Sequence, residues 1–182
     1  MNWFIDNLGQ VELIKTLVST VNWLINNLGQ VGGYFLIHAL LSLGAVVAAA
    51  ALSVPLARLA VATRRLGGLL LGAFSLLYAV PSLPMLVVIP VILGVPVRSP
   101  LNMVIVLTLY GISVLVTQVA EAFRSLPEDV VEAANALGVD PWRRFWQVEM
   151  PLAVPVLIAG LRVVAASTVS LVTVGALVGV QS

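Results

Sequence analysis

Four long apolar runs divide this chain, over residues 34–62, 69–93, 101–120 and 151–180. Each reaches the roughly 20 apolar residues that a bilayer-spanning helix needs. A helix is the expected element in each, because in lipid the backbone must satisfy its own polar groups. The second run carries Pro81, Pro84 and Pro90. A proline inside a helix removes one backbone bond and kinks the rod. That run is therefore expected to be a bent helix, either to aid packing or as a mobile wall of a pathway.

A weaker pattern precedes the first run. "NWFIDNLGQV" (2–11) recurs as "NWLINNLGQV" (22–31). Apolar residues at 4, 8, 11, 14, 18, 21, 25 and 28 keep helical spacing. The pattern predicts an amphipathic helix on the outer membrane face, with Trp3 and Trp23 at the interface. A duplicated start segment with no role of its own fits the same residues. The expected division is an extracytoplasmic segment over 1–31 and a membrane domain over 32–182.

Composition agrees with the runs. Of 182 residues, 60% are hydrophobic and 9% charged, against about 25% charged in a soluble domain. The chain is expected to be an all-α, multi-pass membrane protein. No cysteine is present, which excludes disulfides and thiolate chemistry. The nine Lys and Arg residues form no stripe, so nucleic acid is not an expected partner. His38 stands alone on an apolar run and is read as a packing residue, not a metal ligand. A membrane enzyme would need clustered His, Asp or Glu in the runs, and none is visible.

Charge placement sets the expected orientation. Arg58 stands near the end of the first run and Arg64 and Arg65 follow it, and Arg124, Arg143 and Arg144 lie between the last two. Only Lys15 and Arg98 fall on the other side. The positive-inside bias places the Arg-bearing connections in the cytoplasm and the N-terminus outside.

The connection over about 122–150 is the least oily part of the membrane domain. "SLPE" (125–128) has the form of a capping box with proline in the first turn. A helix is expected from there to Leu137, ended by Gly138 in the left-handed conformation. Asp140 then caps a second short helix with Pro141 in its first turn, and Pro151 is expected to break it. This helix–Gly–helix carries Val131, Ala133, Ala134, Leu137, Trp142, Phe145 and Trp146. Trp beside Arg is a usual anchor of a protein interface, although a Trp belt at the membrane surface fits the second helix equally well.

The spacing Glu132-Ala133-Ala134, Gly138, then Val148-Glu149-Met150-Pro151 resembles the signature of ABC importer permease subunits. Val148 and Met150 replace the Ile and Leu usual in that pattern and keep an apolar side chain. "LYAVPSLP" (77–84), "EAFRSLPEDVVEAANALG" (121–138) and "QVEMPLAVPVLIAGLR" (147–162) are similar to permeases of osmoprotectant uptake, which carry glycine betaine, carnitine or choline. The resemblance covers roughly 22–182. It implies a type I ABC importer permease core in a bacterial inner membrane, with a cytoplasmic coupling loop. It also implies two permease subunits, alike or different, two cytoplasmic ATPase subunits and an external substrate-binding protein. No GxxxxGK[ST] phosphate loop occurs in the chain, so no cofactor is expected here and ATP would be bound by the partner. Such permeases usually continue into a fifth core helix beyond "VGALVGVQS", and this sequence is expected to lack it.

The resemblance implies that Glu132, Ala133, Ala134, Gly138, Asp140, Trp142 and Pro151 meet the ATPase. Candidates for the pathway are Tyr78, Pro81, Ser82, Pro84, Tyr110, Ser113, Thr117 and Arg162. Small polar residues more commonly serve as glue between helices. Arg162 lies about 11 residues, roughly 16 Å, into the fourth run. An intramembrane Arg marks a functional site or pairs with carbonyls at the inner mouth. Open alternatives are a permease for methionine, another amino acid or another small amine. A small channel or structural membrane protein is the alternative outside transport by ATP.

Overall fold

The computed structural model describes residues 2–80, 82–176 and 179, with side chains at all of these except 2–10, 64, 82 and 83. The described residues are mostly helical, with no strand among them. They form two compact units, Met1–Ile37 and His38–Ser182.

The first unit holds α1 (Asn2–Asn26) and the start of α2 (Leu28–Ala62). Asn27 separates the two helices, and its amide donates to the carbonyl of Trp23 at 2.7 Å. From Val11 on, apolar side chains point outward on several sides of α1.

The second unit is built around α5 (Pro100–Arg124), of whose 25 residues 15 are buried. A helix apolar on all sides belongs in the centre of a bundle. Ser99 caps it, accepting from the amide of Leu101 at 3.2 Å. Against α5 pack α2, α3 (Arg64–Ala79), α4 (Ser82–Leu93) and α8 (Met150–Gly175). The packing face of α2 reads Ala45, Ala49, Ser53 and Ala57, four residues apart and almost without side chain. That is the small-residue seam expected where membrane helices approach closely. Gly111 of α5 faces this seam, and Gly160 of α8 makes a second close approach to α5. A Cβ at Gly111 would lie 2.6 Å from the Cβ of Ala49, and one at Gly160 would lie 2.4 Å from Gln118 Oε1.

Four sequence expectations are corrected. The run over 69–93 is two helices, not one bent helix. Val80 is extended (φ −75°, ψ 126°) and ends α3, because a following proline ring crowds the helical conformation of the residue before it. Pro81 itself lies outside the described residues. Neither α3 nor α4 reaches spanning length. Three helices do among the described residues: Leu28–Ala62, Pro100–Arg124 and Pro141–Gly175.

The connection carrying Arg58, Arg64 and Arg65 is hardly a loop. Arg58 lies within α2, and Thr63 alone separates α2 from α3. That reversal is so tight that a Cβ at Gly67 would sit 1.8 Å from the carbonyl oxygen of Ala60.

The capping box at Ser125 does not form. Its hydroxyl donates back to the carbonyl of Ala122 on α5 at 3.1 Å. Pro127 takes the cap position of α6 (Glu128–Ala136) without a side-chain bond.

Finally, Pro151 breaks nothing. α7 (Pro141–Arg144) runs through a π turn (Phe145–Glu149) into α8. In that turn the amide of Met150 reaches back five residues to the carbonyl of Phe145. The wider turn takes up the missing proline N–H at the point where the spacing changes.

One proline effect escapes the sequence reading. Pro90 lacks the N–H that would bond the carbonyl of Leu86. Asn102, buried on α5, supplies it: its amide donates to Leu86 O at 3.1 Å and Val97 O at 2.9 Å.

Candidate functional site

The helix–Gly–helix element is assembled by local chemistry. α6 opens with Glu128 and Asp129, acids that suit the positive end of the helix dipole. It closes at Gly138, which has φ +68°. Gly138 N donates to Asn135 O at 3.0 Å, and Val139 N to Ala134 O at 3.1 Å. This paired closure is the Schellman arrangement, and its left-handed residue suits glycine. Two residues later the carboxylate of Asp140 accepts from the amide of Trp142 at 3.0 Å, capping α7 with Pro141 behind it.

The surface so formed is apolar and open. Leu137 is 82% exposed, Trp142 68% and Trp146 50%. Glu132 and Ala133 are exposed beside Leu137. Glu132 makes no ion pair among the described residues. Two of the expected surface residues turn inward instead. Ala134 and Phe145 are each 6% exposed, and Phe145 packs on Phe123 with ring centres 5.7 Å apart. Trp142 and Trp146 lean on Phe145 from outside, at 6.3 and 5.1 Å. The two tryptophans also wall a groove of about 930 Å³ with Pro55, Arg58, Leu59 and Asp140. Pro151 is exposed at the start of α8.

Below this surface lies a charged centre that the sequence pattern did not assemble, although it marked Arg58 and Arg144 by their charge and Glu149 within the signature. Glu149 is 3% exposed. Arg144 Nε donates to its Oε1 at 2.8 Å, and Arg58 Nη1 lies 2.7 Å from its Oε2. Arg144 Nη1 also donates to Asn135 Oδ1. The guanidinium of Arg58 stands over the Phe145 ring, 5.3 Å from its centre, at cation–π distance. No local rule links residues 58, 135, 144 and 149, which explains why spacing alone did not reveal them.

The pathway candidates separate. Tyr78 and Tyr110 come together, with ring centres 6.0 Å apart and planes tilted by 34°. Tyr110 borders a depression of about 420 Å³ with Ala166, Ser167, Ser170 and Leu171. Ser113 does not join them. It is 2% exposed and donates to the carbonyl of Tyr110 at 2.6 Å, so it belongs to the core. Thr117, half-buried, donates to Val114 O at 3.0 Å. Pro84 lies in the first turn of α4, which Ser82 begins. Arg162 is exposed and off the buried face of α8 that Gly160, Val164, Thr168 and Val172 form. No cluster of three metal-ligating side chains occurs among the described residues.

Residues 50–182 match the model of one family, described as "Binding-protein-dependent transport system inner membrane component". The chain is 34% identical over 110 residues to the ergothioneine transport permease/ergothioneine binding protein EgtU of Helicobacter pylori (strain G27), covering 60% of this chain and 19% of that protein. It is 29% identical over 152 residues to the glycine betaine/carnitine/choline transport system permease protein OpuCD of Bacillus subtilis (strain 168), covering 81% and 65%. It is 28% identical over 142 residues to the carnitine transport permease protein OpuCD of Listeria monocytogenes, covering 78% and 62%. The chain thus spans less than two-thirds of the length of these relatives. A solved structure of the MetNI methionine ABC transporter in an inward-facing conformation matches with a TM-score of 0.70. It covers 80% of this chain and 73% of that one at 19% identity, a likeness of fold alone.

Proposed function

Because this chain belongs to the binding-protein-dependent transport system inner membrane component family, we propose that it couples a partner ATPase to the uptake of quaternary amines such as glycine betaine, carnitine or choline. It is a transport permease, and its fold is that of a type I ABC importer permease. The proposal concerns how it is driven and what it carries.

The observation that carries the coupling reading is the exposed surface at Leu137 and Gly138. An apolar side chain at a helix end, held out by a glycine-only turn, is costly to leave in water. A groove on a soluble partner removes that cost. Glu132, Ala133, Gly138, Asp140 and Trp142 form the rest of the docking face, with Ala134 and Pro151 supporting it. Two ATPases closing on nucleotide would draw the two permeases' loops together. The helix from Pro141 to Gly175 is continuous, so the movement reaches the membrane without a hinge of loop residues. The result is alternating access through two discrete packings.

A second permease subunit and an external binding protein complete the proposed complex. The loop faces the cytoplasm and the N-terminus the outside, which agrees with the excess of arginine on the loop side. Arg58 supports this topology, since its contact with Glu149 puts the end of α2 beside the loop. The pathway would run past Tyr78, Tyr110 and Arg162.

The substrate class is supported by the relatives that carry glycine betaine, carnitine, choline and ergothioneine. A methionine reading has in its favour only a fold shared at 19% identity. The test is ATP-driven uptake of radiolabelled glycine betaine by membrane vesicles holding the whole complex, with carnitine, choline, ergothioneine and methionine as competitors. Competition by the quaternary amines and not by methionine is the expected result. Competition by methionine alone would refute the substrate assignment.

A further inference from the structure

We infer that Glu149 is a positioning residue, the charged pin that joins α2, α6 and the π turn so that a push on the loop moves them as one body. The inference rests on the coupling reading of the loop.

Three features point this way. First, one buried carboxylate is held on both oxygens by cations from different places in the chain. Arg144 meets Oε1 at 2.8 Å from within the loop, and Arg58 meets Oε2 at 2.7 Å from α2. Second, Arg144 is shared, because its other arm holds Asn135 on α6. Third, Arg58 also stacks over Phe145, which packs on Phe123 at the end of α5. Arg58 and Arg144 thus link α2, α6 and the π turn through one carboxylate, and the Phe145–Phe123 contact sets the end of α5 beside it.

Stability alone does not explain such a centre. Replacing a buried ion network by apolar side chains of similar volume is often neutral or stabilising. What a two-arginine clamp supplies is direction. The aligned Arg144 Nε–Oε1 hydrogen bond fixes angle as well as distance, and Arg58, an ion pair to Oε2 without hydrogen-bond alignment, adds a second charge contact from α2. The site is also where transmission most needs stiffness. The surface at Leu137 lies at the cap of α6, whereas the membrane rod starts at Pro141, and only Leu137, Gly138, Val139 and Asp140 join the two helices by main chain. The Arg144–Asn135 contact bridges that joint, and Glu149 holds the guanidinium of Arg144 that makes it.

The test uses the complete complex in proteoliposomes: this chain, its ATPase, its second permease subunit and its binding protein, with radiolabelled glycine betaine as probe. Glu149→Gln keeps the shape and removes the charge. We expect ATP hydrolysed per substrate imported to rise about tenfold, with the ATPase still bound and hydrolysis still active. Glu149→Asp is expected to recover part of the ratio. Arg58→Gln, at a side chain that is 32% exposed and so less disruptive to remove, is expected to raise the ratio as well. Arg65→Gln, on an exposed residue of α3, is the control and should match wild type. An unchanged ratio in Glu149→Gln and Arg58→Gln, in a wild-type complex that is coupled, overturns the pin alone. Equal loss of uptake and hydrolysis with a lower yield of complex also overturns it, since that is a folding role. A wild-type complex whose uptake does not depend on ATP overturns the coupling reading and the pin together.

Discussion

The side-chain amide of Asn102 donates to the carbonyl of Leu86, the group that Pro90 leaves without a helical partner. The two residues are 16 apart in sequence, on α4 and α5. In an apolar environment an unbonded carbonyl is expensive, so this amide lets a proline persist inside α4. Asn102→Leu keeps the volume and removes both donations. We predict a loss of about 2 kcal/mol, from the cost of leaving buried carbonyls unpaired, read as a lower melting temperature of the purified protein in detergent. An unchanged melting temperature would mean that solvent or detergent already satisfies Leu86.

The reversal between α2 and α3 gives a sharper contrast. At Gly67 an added methyl would meet the carbonyl oxygen of Ala60 at 1.8 Å, a distance that only backbone movement can relieve, whereas at Gly68 it would meet nothing within 4 Å. Gly67→Ala is predicted to lose about 3 kcal/mol or more, at the severe end of overpacking, and Gly68→Ala to be neutral within about 0.5 kcal/mol. Comparable melting curves for the two would remove the close approach as the reason for glycine.

Gly138 is constrained by its backbone and not by space, since nothing lies within 4 Å of its missing Cβ. A non-glycine residue at φ +68° is strained by about 1 kcal/mol or more. Gly138→Val should therefore fold, with a modest fall in melting temperature, and should uncouple uptake from ATP hydrolysis. Gly138→Asn should be milder, because asparagine tolerates that conformation. Full uptake by the valine variant at normal expression would argue against the loop as the coupling element.

Leu137 is predicted to separate docking from folding. At 82% exposed it contributes little to the chain's own stability, so Leu137→Ala should leave the melting temperature within about 0.5 kcal/mol of wild type. If the ATPase covers it, the same change removes a buried anchor. Affinity for the ATPase should then fall about tenfold, the effect of losing roughly 1.4 kcal/mol at an interface. Undiminished co-purification of the ATPase would place the docking face elsewhere.

Local signals were readable in the sequence, and distant ones were not. Gly138 and the Asp140–Pro141 pair act within four residues of themselves, and the structure places Gly138 at φ +68° and Asp140 on the amide of Trp142. Ser125 had the same kind of local pattern and misled, because the end of α5 competed for its hydroxyl. The three prolines announced a disturbance in the second run. Whether it would be a kink or a break depended on Val80 leaving the helix. Pro151 was misread because a π turn is invisible in spacing. Arg58 and Glu149 lie 91 positions apart (149 − 58), and nothing short of the folded bundle brings them together. Arg58 read as a positive-inside marker, which is half of what it does.

The helix that runs from Pro141 to Gly175 has 35 residues, about 50 Å at 1.5 Å each. The oily layer of a membrane is about 30 Å thick. Some 20 Å of this rod must therefore stand outside the hydrocarbon, like the handle of an oar whose blade is in another medium. Under the coupling proposed above, with lipid as the rowlock, a stroke at the wet end would appear reversed at the far side, with no further part needed to change its direction.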